Sequence, residues 1–189
     1  MQKIVKRYER DYDKKVKCPP APPICADCEP KHPCPQGLLS ACCTGAGLQN
    51  LSSCPTTPRS LVCATIDTTC LCKPLVAVDF TSIIAATVNA GESLTLTFQV
   101  RKSCTNGLNI ECGTWTFVRD FEAGTGSLIT SDSFGFIFCD CNPCPACCTY
   151  AVELVSCTAT PAATATVFTG SFSISAPTVS ITAVDACPQ

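Results

Sequence analysis

Thiol chemistry dominates what this chain could do: 19 of its 189 residues are cysteine and one is histidine. A thiol can close a disulfide, bind a soft metal as thiolate or relay electrons, and each use has its own spacing rules. Nucleophilic catalysis of the Ser-His-Asp or Cys-His kind needs an imidazole inside a packed site, whereas His32 sits beside Pro33 in a proline-rich stretch. The sequence contains no Cys-x-x-Cys-His and no glycine-rich phosphate loop, so covalent haem and P-loop nucleotide chemistry lack support. Its aspartates stand singly, without a paired-carboxylate pattern. The expectation is a protein that is not an enzyme, has no catalytic residue and needs no cofactor.

The densest cysteine group is Cys139, Cys141, Cys144, Cys147 and Cys148 in FCDCNPCPACCTY, followed by Cys157. Cys141-x-x-Cys144-x-x-Cys147 matches the start of a ferredoxin run, but the next cysteine of that run is missing because position 151 is Ala. A cubane would need a remote fourth ligand such as Cys157. A zinc site joining Cys25-x-x-Cys28 to Cys144-x-x-Cys147 would span 115 intervening residues, far beyond a compact finger. A redox role for Cys25-Ala-Asp-Cys28 lacks the surrounding βαβ pattern. Disulfides are the preferred reading, and a metal-binding protein with thiolate ligands from 139–148 is the alternative. Cys104 and Cys112 flank TNGLNIE between two expected strands, so a local disulfide across that hairpin is expected. Nineteen is odd, so at least one thiol is free or bonded to another molecule. The neighbours Cys42-Cys43 and Cys147-Cys148 point to opposite faces of an extended strand and would find different partners.

Three segments must position these thiols. Residues 1–17 hold seven Lys/Arg and three Asp/Glu, with Ile4, Tyr8, Tyr12 and Val16 at steps of four, and read as a charged arm. Residues 18–60 carry Cys18, Cys25, Cys28, Cys34, Cys42, Cys43 and Cys54 among nine prolines and read as an extended connector. Residues 61–189 read as an all-β assembly domain. In 93–100, Leu94, Leu96, Phe98 and Val100 alternate with polar residues, and TWTFV at 114–118 is the expected partner. About eight such runs, with no convincing helix after residue 60, imply an antiparallel sandwich of jelly-roll or Greek-key type.

Residues 18–189 hold only six Lys/Arg and twelve Asp/Glu, so little charge protects exposed strand edges. Such a surface favours self-assembly into a homo-oligomer. Acidic residues interrupt the basic arm, so nucleic acid is not an expected partner. No apolar run reaches the length of a membrane span or of a secretory signal core, so neither a membrane partner nor a classical signal peptide is expected.

The segments TTCLCKPLVAVDF, CGTWTF and SFGFIFCDCNPCPACCTY, all within residues 68–157, resemble those of cysteine-rich spore-associated proteins of anaerobic spore-forming bacteria. In its architecture of cysteine-rich connector and β-domain, the chain also resembles subunits of endospore appendage (Ena-type) fibres. The resemblance implies a jelly-roll subunit whose sheets augment one another along a fibre. It further implies that connector cysteines, here Cys18, Cys25, Cys28, Cys34, Cys42, Cys43 and Cys54, make disulfides to neighbouring subunits. Such subunits are oxidised on the spore surface without a secretion signal, and other spore-surface proteins are possible partners. This connector is longer than in the simplest members, and a charged arm precedes it.

Overall fold

Alternation of apolar and polar residues runs through the long strands, and two antiparallel sheets bury their apolar parities against each other. The computed structural model describes residues 38–71, 74–105, 107–121, 125–140 and 146–185. The front sheet contains β1 (Leu39–Thr44), β2 (Leu48–Leu51), β9 (Ser171–Asp185), β4 (Pro74–Asn89) and β7 (Ser127–Asp140). The back sheet runs β3 (Arg59–Asp67), β8 (Cys147–Thr160), β5 (Ser93–Cys104) and β6 (Asn109–Asp120).

Both β1 and β2 pair with β9, at Leu39↔Ala183 to Thr44↔Thr178 and at Leu48↔Ile174 and Leu51↔Phe172. They therefore act as one interrupted strand. Counted so, the first strand pairs with the last, β3 with β8, β4 with β7, and β5 with β6. A long hairpin wound into two layers has this order, and it is the jelly roll expected from the run pattern.

The core lies between the sheets. Val76, Val78, Phe80, Ile84 and Val88 of β4 face Leu94, Leu96, Phe98 and Val100 of β5, with Tyr150 and Val152 of β8 and Ile174 and Ile181 of β9 around them. Phe98 opposes Trp115 and Leu96 opposes Phe117, as the alternation of 93–100 and 114–118 requires. Aromatic contacts cross the gap: Trp115 stacks on Phe136 with ring centroids 3.9 Å apart, and Phe98 on Phe134 at 4.8 Å. At one end, the buried Glu92 carboxylate accepts hydrogen bonds from the backbone N–H groups of Asn89 and Thr169 and from the Thr169 hydroxyl. Burial alone would raise that carboxyl, but these donors outweigh it and hold the group below its ordinary range.

The boundary at residue 61 is corrected, because β1 and β2 lie inside the stretch read as connector. Their runs are too short and irregular to alternate, and they owe their order to β9. Glycine makes the break between them possible: a Cβ on Gly45 would lie 1.9 Å from the Leu61 carbonyl oxygen, and Gly47 has φ +70. The arm at 1–17 lies outside the described residues, as do Cys18, Cys25, Cys28 and Cys34.

A chain starting at residue 38 is expected to match the full chain in its urea midpoint. One starting at 61 should lose at least about 3 kcal/mol, because Leu39, Leu48 and Leu51 no longer cover the core. Equal midpoints would show that the interrupted strand contributes nothing.

Candidate functional site

The thiols divide by position into pairs closed within the chain and groups on its surface. Cys104 and Cys148 are direct register neighbours on β5 and β8, with Cα atoms 4.1 Å apart, and form a disulfide. The expected Cys104–Cys112 link is therefore wrong, and the hairpin register explains why. Ser103 opposes Asn109, so the position beside Cys104 is Leu108, whose carbonyl accepts the Cys104 N–H at 2.8 Å. Cys112 falls in a bulge between the pairs Arg101↔Glu111 and Val100↔Gly113. That is four residues along the strand, about 13 Å away.

A second disulfide joins Cys54 to Cys157, Cα to Cα 5.3 Å. Cys54 was expected to reach a neighbouring subunit and instead closes on its own domain. The cause is a shift in β8: Thr97 opposes Ser156 but Phe98 opposes Leu154, so the extra Val155 reverses the parity and turns Cys157 against the core. Cys157 is thereby separated from the cysteine-dense segment with which its sequence position grouped it.

The other described cysteines sit toward the surface. Cys42 and Cys43 are exposed on the edge strand β1, and Cys63 is exposed on the edge strand β3. Cys139 is exposed near the end of β7, and Cys147 is half-buried at the start of β8, opposite Asp67. Cys70 is half-buried after β3. Cys141 and Cys144 lie outside the described residues. Among the described residues, no three His, Cys, Asp or Glu side chains gather where they could hold a metal ion.

Cys112 is chemically different from the exposed thiols. Burial pushes its thiol up to about 11, the Asp140 charge adds to this, and Lys102 partly offsets it. Since the thiolate is the reactive form, Cys112 is a poor nucleophile at neutral pH.

Beside it lies a polar cluster that sequence reasoning missed. Lys102 of β5 reaches across the sandwich, with its Nζ 2.6 Å from Asp140 Oδ2 of β7, and the Tyr150 hydroxyl donates to the same oxygen at 2.8 Å. The Lys102 side chain is only 2% exposed. Burial first, then the Asp140 charge and hydrogen bond, hold the Tyr150 phenol protonated far above its ordinary range. Arg119 of β6 pairs with Asp132 of β7 in the same manner. Both acids come from the front sheet and both cations from the back, so these pairs join the layers along their β6–β7 side. Parity was the available signal: Lys102 continues the inward series Leu96, Phe98 and Val100, and Asp132 and Asp140 continue that of Phe134, Phe136 and Phe138.

A model of a domain of unknown function, DUF4489, matches residues 34–184. The chain belongs to the DUF4489 family. The DUF4489 match begins before β1, in keeping with the interrupted first strand belonging to the domain. No curated protein matches the chain in sequence. Among solved structures, infectious bursal disease virus Gt strain aligns with 76% of this chain and 33% of that chain, at 12% identity and a TM-score of 0.41. The VP2 subviral particle of infectious bursal disease virus aligns with 79% of this chain and 37% of that chain, at 14% identity and a TM-score of 0.38. The DUF4489 chain thus spans about a third of the length of the viral chains it matches.

Two outcomes are expected from these positions. In the folded, non-reduced protein at pH 8, Cys112 should alkylate about 100-fold more slowly than an unperturbed exposed thiol, read by peptide mass spectrometry. Comparable rates would contradict its burial. Lys102→Met should cost roughly 3–5 kcal/mol in urea unfolding, because it leaves the Asp140 carboxylate buried without its cation. A loss below about 1 kcal/mol would show that the pair is solvated.

Proposed function

We propose that this DUF4489 chain is a non-enzymatic structural subunit that self-assembles into a disulfide-stabilised fibre on the spore surface or outside the cell. The observation that carries the reading is the placement of exposed thiols on sheet-edge strands, Cys42 and Cys43 on β1 and Cys63 on β3. Among the described residues, Cys54–Cys157 and Cys104–Cys148 close within the domain, whereas Cys42, Cys43 and Cys63 are free thiols available to neighbours.

The edges themselves support assembly. On the far side of the front sheet, β7 presents 14 residues without proline or lysine, and its two acids turn inward to Lys102 and Arg119. Such an edge offers unpaired backbone groups to a strand of another copy. Edge pairing would set neighbouring sheets in line. Disulfides from Cys42, Cys43 and the connector cysteines Cys18, Cys25, Cys28 and Cys34 would then lock them, the two protons and two electrons of each bond passing to molecular oxygen, which leaves as hydrogen peroxide. Cys54 has no part in this, being held by Cys157. The resemblance to endospore appendage subunits supplies the location, because oxidation on the released spore would let many cysteines close as disulfides.

Assembled protein should stay at high molecular weight after boiling in detergent and fall to monomer only with reductant, since covalent links survive the loss of sheet contacts. The Cys42→Ser/Cys43→Ser variant should release shorter species under the same treatment. Clean monomer from the unaltered chain without reductant would overturn the proposal.

A further inference from the structure

We infer that the outer face of the front sheet is a second assembly surface, on which two copies of this chain pack sheet against sheet. This contact is separate from the edge pairing proposed above and uses different residues.

The two outer faces differ in charge. The outward positions of the back sheet carry Asp67, Arg101, Glu111, Asp120 and Glu153. Those of the front sheet, among the described residues, carry one charge, Asp79, amid serine, threonine and alanine. Large apolar side chains follow the opposite trend. Of the nine that the described chain exposes, Leu75, Ile83, Ile129, Ile137 and Val184 stand on the front face, with Ile129 77% and Ile137 67% exposed. A face that is poor in charge and rich in exposed aliphatics gains by leaving water, whereas the back face would have to desolvate five charges.

The layout suits a second copy. By register, Leu75 lies beside Val184, Ile137 beside Asp79, and Ile129 beside Thr87, with Ile83 between the last two levels. A large side chain thus recurs every four residues, about 13 Å, and small residues such as Ala77, Thr81 and Ala85 lie between. Knobs of one copy can enter the hollows of another at the usual sheet spacing of about 10 Å. A two-fold axis level with Ser82 sets Asp79 opposite the level of Ala85. The two carboxylates are then six residues, about 20 Å, apart along the strand. Four strands of about 14 residues present roughly 900 Å², above the ~800 Å² per partner of a standard stable interface.

The test uses the full chain under reductant, so that disulfides hold no copies together. Mass in solution is read by sedimentation, and mass per length of any fibre by electron microscopy. Ile83→Lys/Ile129→Lys is compared with Thr97→Lys/Thr116→Lys on the back face. All four positions point outward, and circular dichroism checks that each variant folds. The front-face variant is expected to halve the mass of the soluble species or the mass per length of the fibre, and the back-face variant to leave both unchanged. Unchanged mass in the front-face variant, an equal loss in both variants, or an unaltered chain that is monomeric would overturn the inference. Dimers that persist in the unaltered chain without fibres would instead overturn the appendage reading and support this one.

Discussion

Everything in this sandwich depends on burying one parity of residues along each long strand. Strand side chains alternate between faces, so a layer holds together only where every other residue is apolar and the strands share a register. Here β4, β5, β8 and β9 meet that condition almost throughout, and the fully buried residues Phe80, Phe98, Tyr150 and Ile181 all come from them. The edge strands follow. β1 and β2 are short and weakly patterned, yet β9 gives them partners and the core gives Leu39 and Leu51 somewhere to pack.

Where the chain departs from strict alternation, it does so at bulges that reassign faces. In β9 the register passes from Thr81↔Thr178 to Ile83↔Ser175, so two residues oppose one. Ala176 takes φ 48 there, and the inward series changes from Phe172 and Ile174 to Val179 and Ile181. The extra residue in β8 acts likewise and turns Cys157 toward Cys54. Bulges thus decide which cysteines can meet. A thiol on the wrong parity stays apart from a partner that is close in sequence.

Polar groups inside the sandwich tie the layers together in a direction-specific way. Lys102 and Arg119 project from the back sheet to Asp140 and Asp132 of the front, and the Tyr150 hydroxyl completes the first pair. Aromatic packing between the same sheets tolerates small slips, whereas a buried cation must meet its carboxylate. The same pairs draw both β7 acids inward and leave the outward side of that strand free of charge. The interior and the outer surface are therefore coupled, because charge used to join the layers is charge withheld from the edge and the outer face.

The amino-acid sequence by itself determined the architecture. Period-two runs such as Leu94, Leu96, Phe98 and Val100, a nearby aromatic partner run and the lack of helical periodicity lead to an antiparallel sandwich, because alternation is a local property. It also determined that the chemistry is that of thiols. Tertiary structure alone decided which thiols pair. The Cys104–Cys148 link joins residues 44 apart and Cys54–Cys157 joins residues 103 apart, whereas Cys112, close to Cys104 in sequence, is set four residues along the strand from it by the hairpin register. Pairing depends on register between distant strands, and register depends on bulges whose positions no local pattern in this chain marks. The same holds for Gly45, whose lack of a side chain has meaning only against the Leu61 carbonyl of another sheet.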